Sequence, residues 1–500
     1  MACFTRPLLT CRTDISYQHV CLPLFDVQRC AAAMSFVSPE FALIALVFFP
    51  AYWSLSRHRS LQLGVLTASG YALYATWSVQ FACILLVFSA YIWLAGHWVQ
   101  SCTTSPRRKL WFAISVLVSL ILLLASKYYE FVRQMLATLM PNLGMQALLP
   151  IIDIVAPAGI SFFTFQAVTY LVWQYESKPP RTSFIHLLLF LSFWPTLFAG
   201  PIMRARDFFA QLEGPDVGLP RQTPKAIYYL LLGLFQKMVF ASWLASTFVD
   251  EAFKYPDAHT FVTALAAIVG YSLQIFLDFA GYTLIVTGLA LLLGFRLPIN
   301  FKQPYLAINL QEFWRHWHIS LSSFIRDYIY IPLGGNRKGF LHTQFNILLA
   351  MVISGLWHGA NSTFIVWGTL HGLGVVFVNL YDKALGKEQA MPVTVARFFT
   401  LSYIALAWVF FRADNNEAAW QLLSGLVNGL GKPEFQHGLL AAFVIFFFLL
   451  SARAQRLEQA CVQRLAQLHW ISVTILASAL AFVAILLGPS GVPSFIYYRF

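Results

Sequence analysis

Long apolar segments separated by short polar breaks run along almost the whole chain after residue 34. Clear examples are residues 41–53, 112–126, 439–450 and 471–487. Apolar segments that recur with short loops between them are typical of a protein whose helices cross a membrane many times. The pattern therefore predicts an all-α, polytopic membrane protein.

Thirteen apolar segments are predicted to be helical. They are residues 41–56, 61–77, 80–98, 110–126, 150–175, 184–200, 226–248, 261–294, 343–357, 362–380, 397–412, 439–452 and 470–488. The segment 261–294 is too long for a single perpendicular crossing, so we expect two helices there. The prediction is a bundle of roughly eleven to fourteen apolar helices.

Composition excludes a soluble protein. Only 11% of the residues are charged and the mean hydropathy is +0.66, whereas soluble domains carry about 25% charged residues. The net charge of +12 comes largely from basic residues beside apolar segments, such as Arg57, Arg108 and Arg453, as expected for cytoplasmic loops. The charge therefore predicts membrane lipid as a neighbour and gives no reason to expect a nucleic-acid partner.

The first 33 residues differ from the rest of the chain. They hold four of the seven cysteines, are less apolar, and contain Arg6, Arg12 and Arg29. We expect residues 1–33 to be a disordered or untranslated extension, with translation starting at Met34, and residues 34–500 to form a single membrane-embedded domain. The cysteines have no metal-ligand spacing, so no metal site is expected.

Residues 310–330 predict one amphipathic helix. At 100° per residue an apolar face separates from a polar face, and the apolar face comprises Phe313, Trp314, Trp317, Leu321, Phe324, Ile325 and Tyr328. Asn309 and Glu312 resemble a capping box at its start, and Pro332 with Gly334 would end it. The helix could lie in the interface with its aromatic face in lipid, or dip inward with its polar face lining a wet cavity. His318 lies at the seam of the two faces.

Three ionisable residues lie within apolar segments. They are Asp278, His358 and His371. An ionisable group there costs a few kcal/mol, so it is either a functional residue or a structural one with a hydrogen-bonding partner. Asp278 could hold helices together or bind a donor. We expect His371, between Gly368 and Gly372, to be a packing residue, and both roles stay open for His358.

Motifs expected of several enzyme classes do not occur in the sequence. It contains no Gly-x-Ser-x-Gly, phosphate-loop or His-Glu-x-x-His pattern, which argues against hydrolase, nucleotide-driven and zinc-protease chemistry. Histidine is the side chain best suited to take a proton from a hydroxyl near neutral pH, as a direct acyl transfer requires.

Several segments together carry a family resemblance. Glu-Phe-Trp-Arg-His-Trp-His at 312–318, Arg-Asp-Tyr-Ile-Tyr-Ile-Pro-Leu-Gly-Gly at 326–335 and Leu-Trp-His-Gly at 356–359 resemble the signature of the membrane-bound O-acyltransferase family. The segments 157–166, 198–202, 278–282, 294–298 and 495–498 resemble the bacterial branch of the family that contains the alginate O-acetylation membrane protein.

The resemblance implies helices forming a ring around a central tunnel, with an acyl donor on the cytoplasmic side and an acceptor outside. It implies that His358 is the catalytic histidine and His318 the second histidine of the site. The donor would be a co-substrate, acetyl-CoA or an acyl carrier, with no bound cofactor. The partners would be an exported, esterase-like acyltransferase and a polysaccharide acceptor.

The sequence therefore predicts a multi-pass acyltransferase of the bacterial inner membrane that passes an acetyl or other short acyl group across it to an exported polysaccharide such as alginate. Arg315 and Arg326 could attract an anionic donor or anchor the helix at the interface, while Glu312 and Asp278 could support the site. Peptidoglycan O-acetylation and teichoic acid D-alanylation are alternatives. A non-enzymatic polysaccharide or lipid translocase is an alternative of another class.

Overall fold

A computed structural model describes residues 35–139, 156–177, 179–213, 222–386 and 391–489. The predicted extension at 1–33 and the segment 495–498 lie outside these ranges. The described residues are helical and include no strand, so the all-α prediction is confirmed.

We number the helices α1 to α19 in chain order. They are Pro39–Ser54, Arg59–Trp77, Val79–Ser101, Ser105–Leu139, Ile160–Ser177, Phe184–Leu191, Trp194–Leu197, Ala205–Glu213, Thr223–Lys254, Phe261–Leu292, Leu310–His316, Ile319–Ile325, Phe340–His358, Ser362–Leu385, Val393–Arg412, Asn416–Ser424, Phe435–Ser451, Ala454–Gln467 and Trp470–Leu487. Helix α9 contains two π-helical segments, Phe235–Ala241 and Ala245–Val249.

Within the described ranges, eight helices are long and apolar enough to cross a membrane. They are α3, α4, α9, α10, α13, α14, α15 and α19. The pair α17 and α18, bent by 70°, would make a ninth span if it counts as one. The protein is therefore a multi-pass membrane protein, and α1, with 16 residues, is a shorter apolar helix.

The expectation of two helices in 261–294 is wrong, because α10 is one continuous helix of 32 residues. The segment has no proline, and its glycines do not break it. Gly281 lies against the backbone of Gly233, and Gly288 lies against the backbone of Ala226. These glycines let α9 approach α10 closely along its length. In the most apolar 18-residue stretch of α10, 78% of the residues are buried inside the protein, so α10 is the central helix of the bundle.

The expectation of one helix over 184–200 is also wrong. The segment forms two short helices, α6 and α7, with a break at Ser192 and Phe193. Pro195 lies in the first turn of α7. Proline has no N–H to continue the preceding helix but fits the first turn of a new one, so the chain restarts there.

Helices α13 and α14 form a tightly packed hairpin. Gly355 lies against the carbonyl of Phe364, and Gly368 lies against the carbonyl of Met351. Gly359, directly after α13, lies against the Phe364 ring. A side chain at any of these positions would overlap the opposite helix, so the glycines fix where α13 ends, at His358.

Loops at one end of the bundle are joined by hydrogen bonds. The Phe261 N–H donates to the Gly429 carbonyl at 3.2 Å, and the Asn361 side-chain amide donates to the Asp414 carbonyl at 2.8 Å. Arg337 and Lys338 are exposed at the opposite end of α13. Basic loops favour the cytoplasm, so we expect the loop before α13 to face the cytoplasm and the loop after it to face outward.

This orientation predicts opposite labelling of two single cysteines introduced into a cysteine-free variant. Arg337→Cys should resist an impermeant thiol reagent applied to intact cells, while Ala258→Cys, in the exposed loop between α9 and α10, should react. Both should react after the cells are opened. Labelling of Arg337→Cys from outside would show that the protein has the opposite orientation in the membrane.

The glycine hairpin predicts that Gly355→Ala lowers the free energy of unfolding by about 1–3 kcal/mol, because the added methyl group overlaps a backbone carbonyl. Thermal unfolding in detergent measures this. The matched control is Gly64→Ala in α2, where nothing lies within 4 Å of the new methyl group. That change should be neutral or slightly stabilising. Equal stability of the two variants would contradict the packing argument.

Candidate active site

His358 lies at the last position of α13 and its side chain is buried, with 4% exposure. Its imidazole contacts three aromatic rings. The ring centroids of Trp357, Phe411 and Trp367 lie 4.8, 5.0 and 5.2 Å away. A polar ring at a helix end among aromatic side chains is held in one place by packing.

His318 lies between α11 and α12, and the expectation of one continuous helix over 310–330 is wrong there. Helix α11 ends at His316, α12 begins at Ile319, and a π-helical turn spans Arg326–Tyr330. His318 has a left-handed backbone, with φ 42° and ψ 53°. This backbone conformation is costly for residues other than glycine, and where such residues adopt it they are often at functional sites.

The apolar face of the segment packs inside the protein and not against lipid. Phe313, Trp317 and Leu321 are at most 1% exposed. The predicted start of the segment is confirmed, since the Asn309 side chain accepts a hydrogen bond from the Glu312 N–H at 2.8 Å. The Glu312 carboxylate accepts from the Ile308 N–H at 2.8 Å, so Glu312 caps α11.

Asn300 explains both the break and the orientation of His318. Its side-chain oxygen accepts hydrogen bonds from the Ser320 N–H at 3.2 Å, the Ser320 hydroxyl at 2.8 Å and His318 Nδ1 at 3.1 Å. The Asn300 carbonyl also accepts from the Ile319 N–H at 2.9 Å. These bonds replace the helical bonds that residues 318–320 would otherwise form.

The same bonds determine the tautomer of His318. The Ser320 N–H can only donate, so the Asn300 atom that it contacts is the oxygen. His318 must then donate to that oxygen from Nδ1, which leaves the lone pair on Nε2. Burial lowers the pKa of His318 to about 3. The imidazole is therefore neutral at neutral pH, with its Nε2 lone pair oriented by Asn300.

Trp357 lies between the two histidines. Its ring centroid is 6.1 Å from that of His318 and 4.8 Å from that of His358. His371 lies one aromatic layer further along, 4.8 Å from Trp367 and fully buried. The structure therefore brings His318 and His358 to one tryptophan, and it places His371 behind another.

A cavity of about 490 Å³ opens beside the end of α13. Its wall includes residues 359–361, directly after His358, and Phe364, whose ring lies 6.4 Å from that of His358. The cavity is also lined by Asp250, Arg412 and Asp414. Asp250 lies in the last two turns of α9, Arg412 ends α15 and Asp414 follows it, so these residues lie next to the loops that we place outside. The cavity therefore lies next to the turn that carries His358, at the end of the bundle that we place outside.

A buried ion pair lies in the cavity wall. The Lys237 ammonium donates to the Asp278 carboxylate, and their side chains are 2% and 7% exposed. Lys237 belongs to the π-helical segment Phe235–Ala241 of α9, while Asp278 belongs to α10. The pair joins these helices and leaves two opposite charges beside the cavity, and a second pair, Arg412 with Asp250 at 3.1 Å, lies nearer the mouth.

The other predicted site residues lie away from the cavity. Arg315 and Arg326 are exposed. Arg326 pairs with Asp327, which also binds Arg204. Burial pushes the pKa of Asp327 upward, but the hydrogen bonds from the two arginines outweigh it and hold that pKa below its usual value.

Two residues of the site were not predicted from the sequence, Asn300 and Lys237. Asn300 follows the segment 294–298 at the end of a long apolar helix, and Lys237 interrupts the apolar segment 226–248. In both cases a polar residue in or beside an apolar segment could have been taken as a candidate site residue. The described residues contain no group of three or more histidine, cysteine or acidic side chains that could hold a metal ion.

The profile of the membrane-bound O-acyltransferase family matches residues 63–411. That range includes both histidines, Asn300 and the ion pair beside the cavity. The chain belongs to the membrane-bound O-acyltransferase family. It is therefore an acyltransferase, which replaces the alternative of a non-enzymatic translocase.

Relatives of this family member have three kinds of name. The chain is 35% identical to the peptidoglycan O-acetyltransferase of Helicobacter pylori, over 71% of each chain. It is 34% identical to the probable alginate O-acetylase of Pseudomonas aeruginosa, over 79% of this chain and 75% of the relative. It is 30% identical to the teichoic acid D-alanyltransferase of Streptococcus thermophilus, over 52% of this chain and 69% of the relative.

The Asn300 bonds predict that Asn300→Ala lowers acyl transfer by roughly 10–100-fold, because His318 loses the side chain that orients its ring and a small misplacement of a catalytic group costs up to about 10²-fold. Initial rates of the purified variant measure this. Asn379→Ala is the matched control, because Asn379 also makes two side-chain hydrogen bonds, to Gln311 and Gln344. Equal loss in both variants would indicate a general effect of removing a polar residue.

Proposed function

We propose that this acyltransferase moves an acetyl group from a cytoplasmic donor through the bacterial inner membrane, for O-acetylation of an exported polysaccharide such as alginate. One observation carries the proposal. His358 and His318 both lie against Trp357, and residues 359–361, directly after His358, line a cavity beside the end of α13 that we place outside. The donor and the acceptor would thus reach the histidines from opposite sides.

In the proposed mechanism His358 is the general base. It takes the proton of an acceptor hydroxyl as the hydroxyl oxygen attacks the carbonyl carbon of the acyl thioester. The new C–O bond forms, the C–S bond breaks, and the proton passes to the departing thiolate. No nucleophilic serine or cysteine is needed. His318, with Nε2 oriented through Asn300, would share or orient the proton.

The donor proposed here is acetyl-CoA or an acyl carrier, both of which are anionic. Exposed basic residues lie at the end of the bundle that we place in the cytoplasm, among them Arg315, Arg326 and Arg337. Their charge would attract the donor. The arginines could equally serve as interfacial anchors, and their removal should then change membrane insertion without changing the KM for the donor.

The acceptor cavity carries paired charges. Lys237 binds Asp278 and Arg412 binds Asp250. Because these charges neutralise each other within the protein, a neutral, hydroxyl-bearing acceptor can approach His358 without displacing a counter-ion. We propose that an exported, esterase-like partner completes transfer to the polymer. Peptidoglycan is the second candidate acceptor, because the Helicobacter pylori relative named for it is as similar to this chain as the alginate relatives are.

His358→Ala should abolish acyl transfer while membrane insertion and detergent-solubilised yield stay near wild type, since loss of a general base costs roughly 10²–10⁴ in rate. His318→Ala should lower the rate by a similar or smaller factor, and His371→Ala by much less. Ester-bound acetate, measured separately on secreted polysaccharide and on peptidoglycan in a host that lacks its own O-acetyltransferase, reports both activity and acceptor. A His358→Ala protein with a near wild-type rate would contradict the assignment.

A further inference from the structure

The end of α13 is held by side chains of another helix. The last carbonyls of a helix have no partner within it. In α13 the carbonyls of Trp357 and His358 accept hydrogen bonds from the Lys127 ammonium, at 2.7 and 3.1 Å. The Leu356 carbonyl accepts a hydrogen bond from the Tyr128 hydroxyl. Two adjacent residues of α4 therefore hold three successive carbonyls, and the last of these belongs to His358 itself.

Lys127 lies at the depth of His358 in the bundle. Each residue lies about twenty positions after a basic residue at the end that we place in the cytoplasm, namely Arg107 in the first turn of α4 and Arg337 in the loop before α13. Twenty helical residues span roughly 30 Å. A lysine this far along a membrane helix could be an interfacial anchor that extends its ammonium to water. Its ammonium instead donates to two backbone carbonyls of α13.

The charge on Lys127 has no carboxylate partner within ion-pair distance among the described residues. The negative end of the α13 dipole is its counter-charge. A helix C-terminus favours a cation, including a protonated histidine. A general base must be neutral before it can take a proton. The Lys127 ammonium supplies the positive charge that this helix end favours, so His358 does not have to be protonated to supply it.

We propose that Lys127 is a positioning residue for His358, which fixes the carbonyl end of α13 and offsets its negative charge so that the imidazole stays in place and neutral. The proposal rests on the proposed function, in which His358 is the base. Tyr128 supplies a hydrogen bond to the same turn without a charge. Lys127 and Tyr128 can therefore be separated by experiment into an electrostatic and a purely structural contribution.

Other ionisable groups lie around His358 and stay unchanged in the test. They are His318, His371 in α14, Arg412 at the end of α15, and the cavity pair Lys237 with Asp278. Of the three carboxylates that line the cavity, Asp278 pairs with Lys237 and Asp250 with Arg412, while Asp414 is exposed.

The test compares Lys127→Met, Lys127→Gln, Lys127→Arg and Tyr128→Phe in the full-length protein. We expect Lys127→Met to lower kcat roughly 10–100-fold with little change in the KM for the donor, since a small misplacement of a catalytic group has effects of this size. The acid limb of the kcat/KM profile should move to higher pH by about half a unit, because the imidazole protonates more readily without the cation.

The other variants separate the contributions. Lys127→Gln keeps a donor but loses the charge, so its acid limb should move with a smaller loss of kcat. Lys127→Arg should retain the wild-type limb, and Tyr128→Phe should lower kcat without moving it. Thermal stability should fall modestly in both Lys127→Met and Tyr128→Phe, because each removes a donor from the carbonyl end of α13, so the change in pH dependence is the result that separates the two.

A wild-type acid limb in Lys127→Gln, or a parallel loss of stability and kcat in Lys127→Met and Tyr128→Phe with no change in pH dependence, would overturn the proposal. His358→Ala identifies which idea has failed. If His358→Ala is inactive and Lys127→Gln is normal, only the role of Lys127 is wrong. If His358→Ala remains active, the assignment of the base is wrong as well.

Discussion

The cost of burying polar groups away from water constrains this structure more than any other single factor. In a bundle surrounded by lipid, each buried donor, acceptor or charge needs a partner from the protein itself. Asn300 supplies one for His318, and Asp278 supplies one for Lys237. The first bond fixes the break between α11 and α12, and the second joins α9 to α10, so the bonds that satisfy the polar groups also fix the elements that carry them.

Hydropathy predicted the class of the fold because long apolar segments have few alternatives in a membrane. It failed where a local pattern had to be interpreted without its neighbours. The amphipathic pattern of 310–330 is real, but Asn300 binds the backbone of Ile319 and Ser320 and breaks the helix at His318. The length of 261–294 suggested two crossings, while close packing against α9 through Gly281 and Gly288 keeps it one.

Both histidines could be proposed from the sequence because they lie in motifs that resemble those of the family, and His358 also because an imidazole within an apolar segment is costly. Their supporting residues could not be identified in this way. Lys127 binds a carbonyl 231 positions away, and Lys237 pairs with a residue 41 positions away. In the sequence each is a single lysine in an apolar segment, and only the packing of helices reveals what it contacts.

The arrangement of charge follows from the two-sided task that we propose. On the side that we place in the cytoplasm the basic residues are exposed, where water stabilises their charge and an anionic donor can reach them. In the outward cavity Lys237 is paired with Asp278 and Arg412 with Asp250, while Asp414 is exposed to water. An unpaired buried charge there would bind a counter-ion or strongly orient water beside His358. A neutral acceptor hydroxyl is not attracted by a net charge in the cavity. It needs His358 to be neutral and held in a fixed position. The field near His358 therefore has to be balanced locally, by short bonds to Asp278, Asp250 and the carbonyl end of α13, and a distant surface charge could not do so.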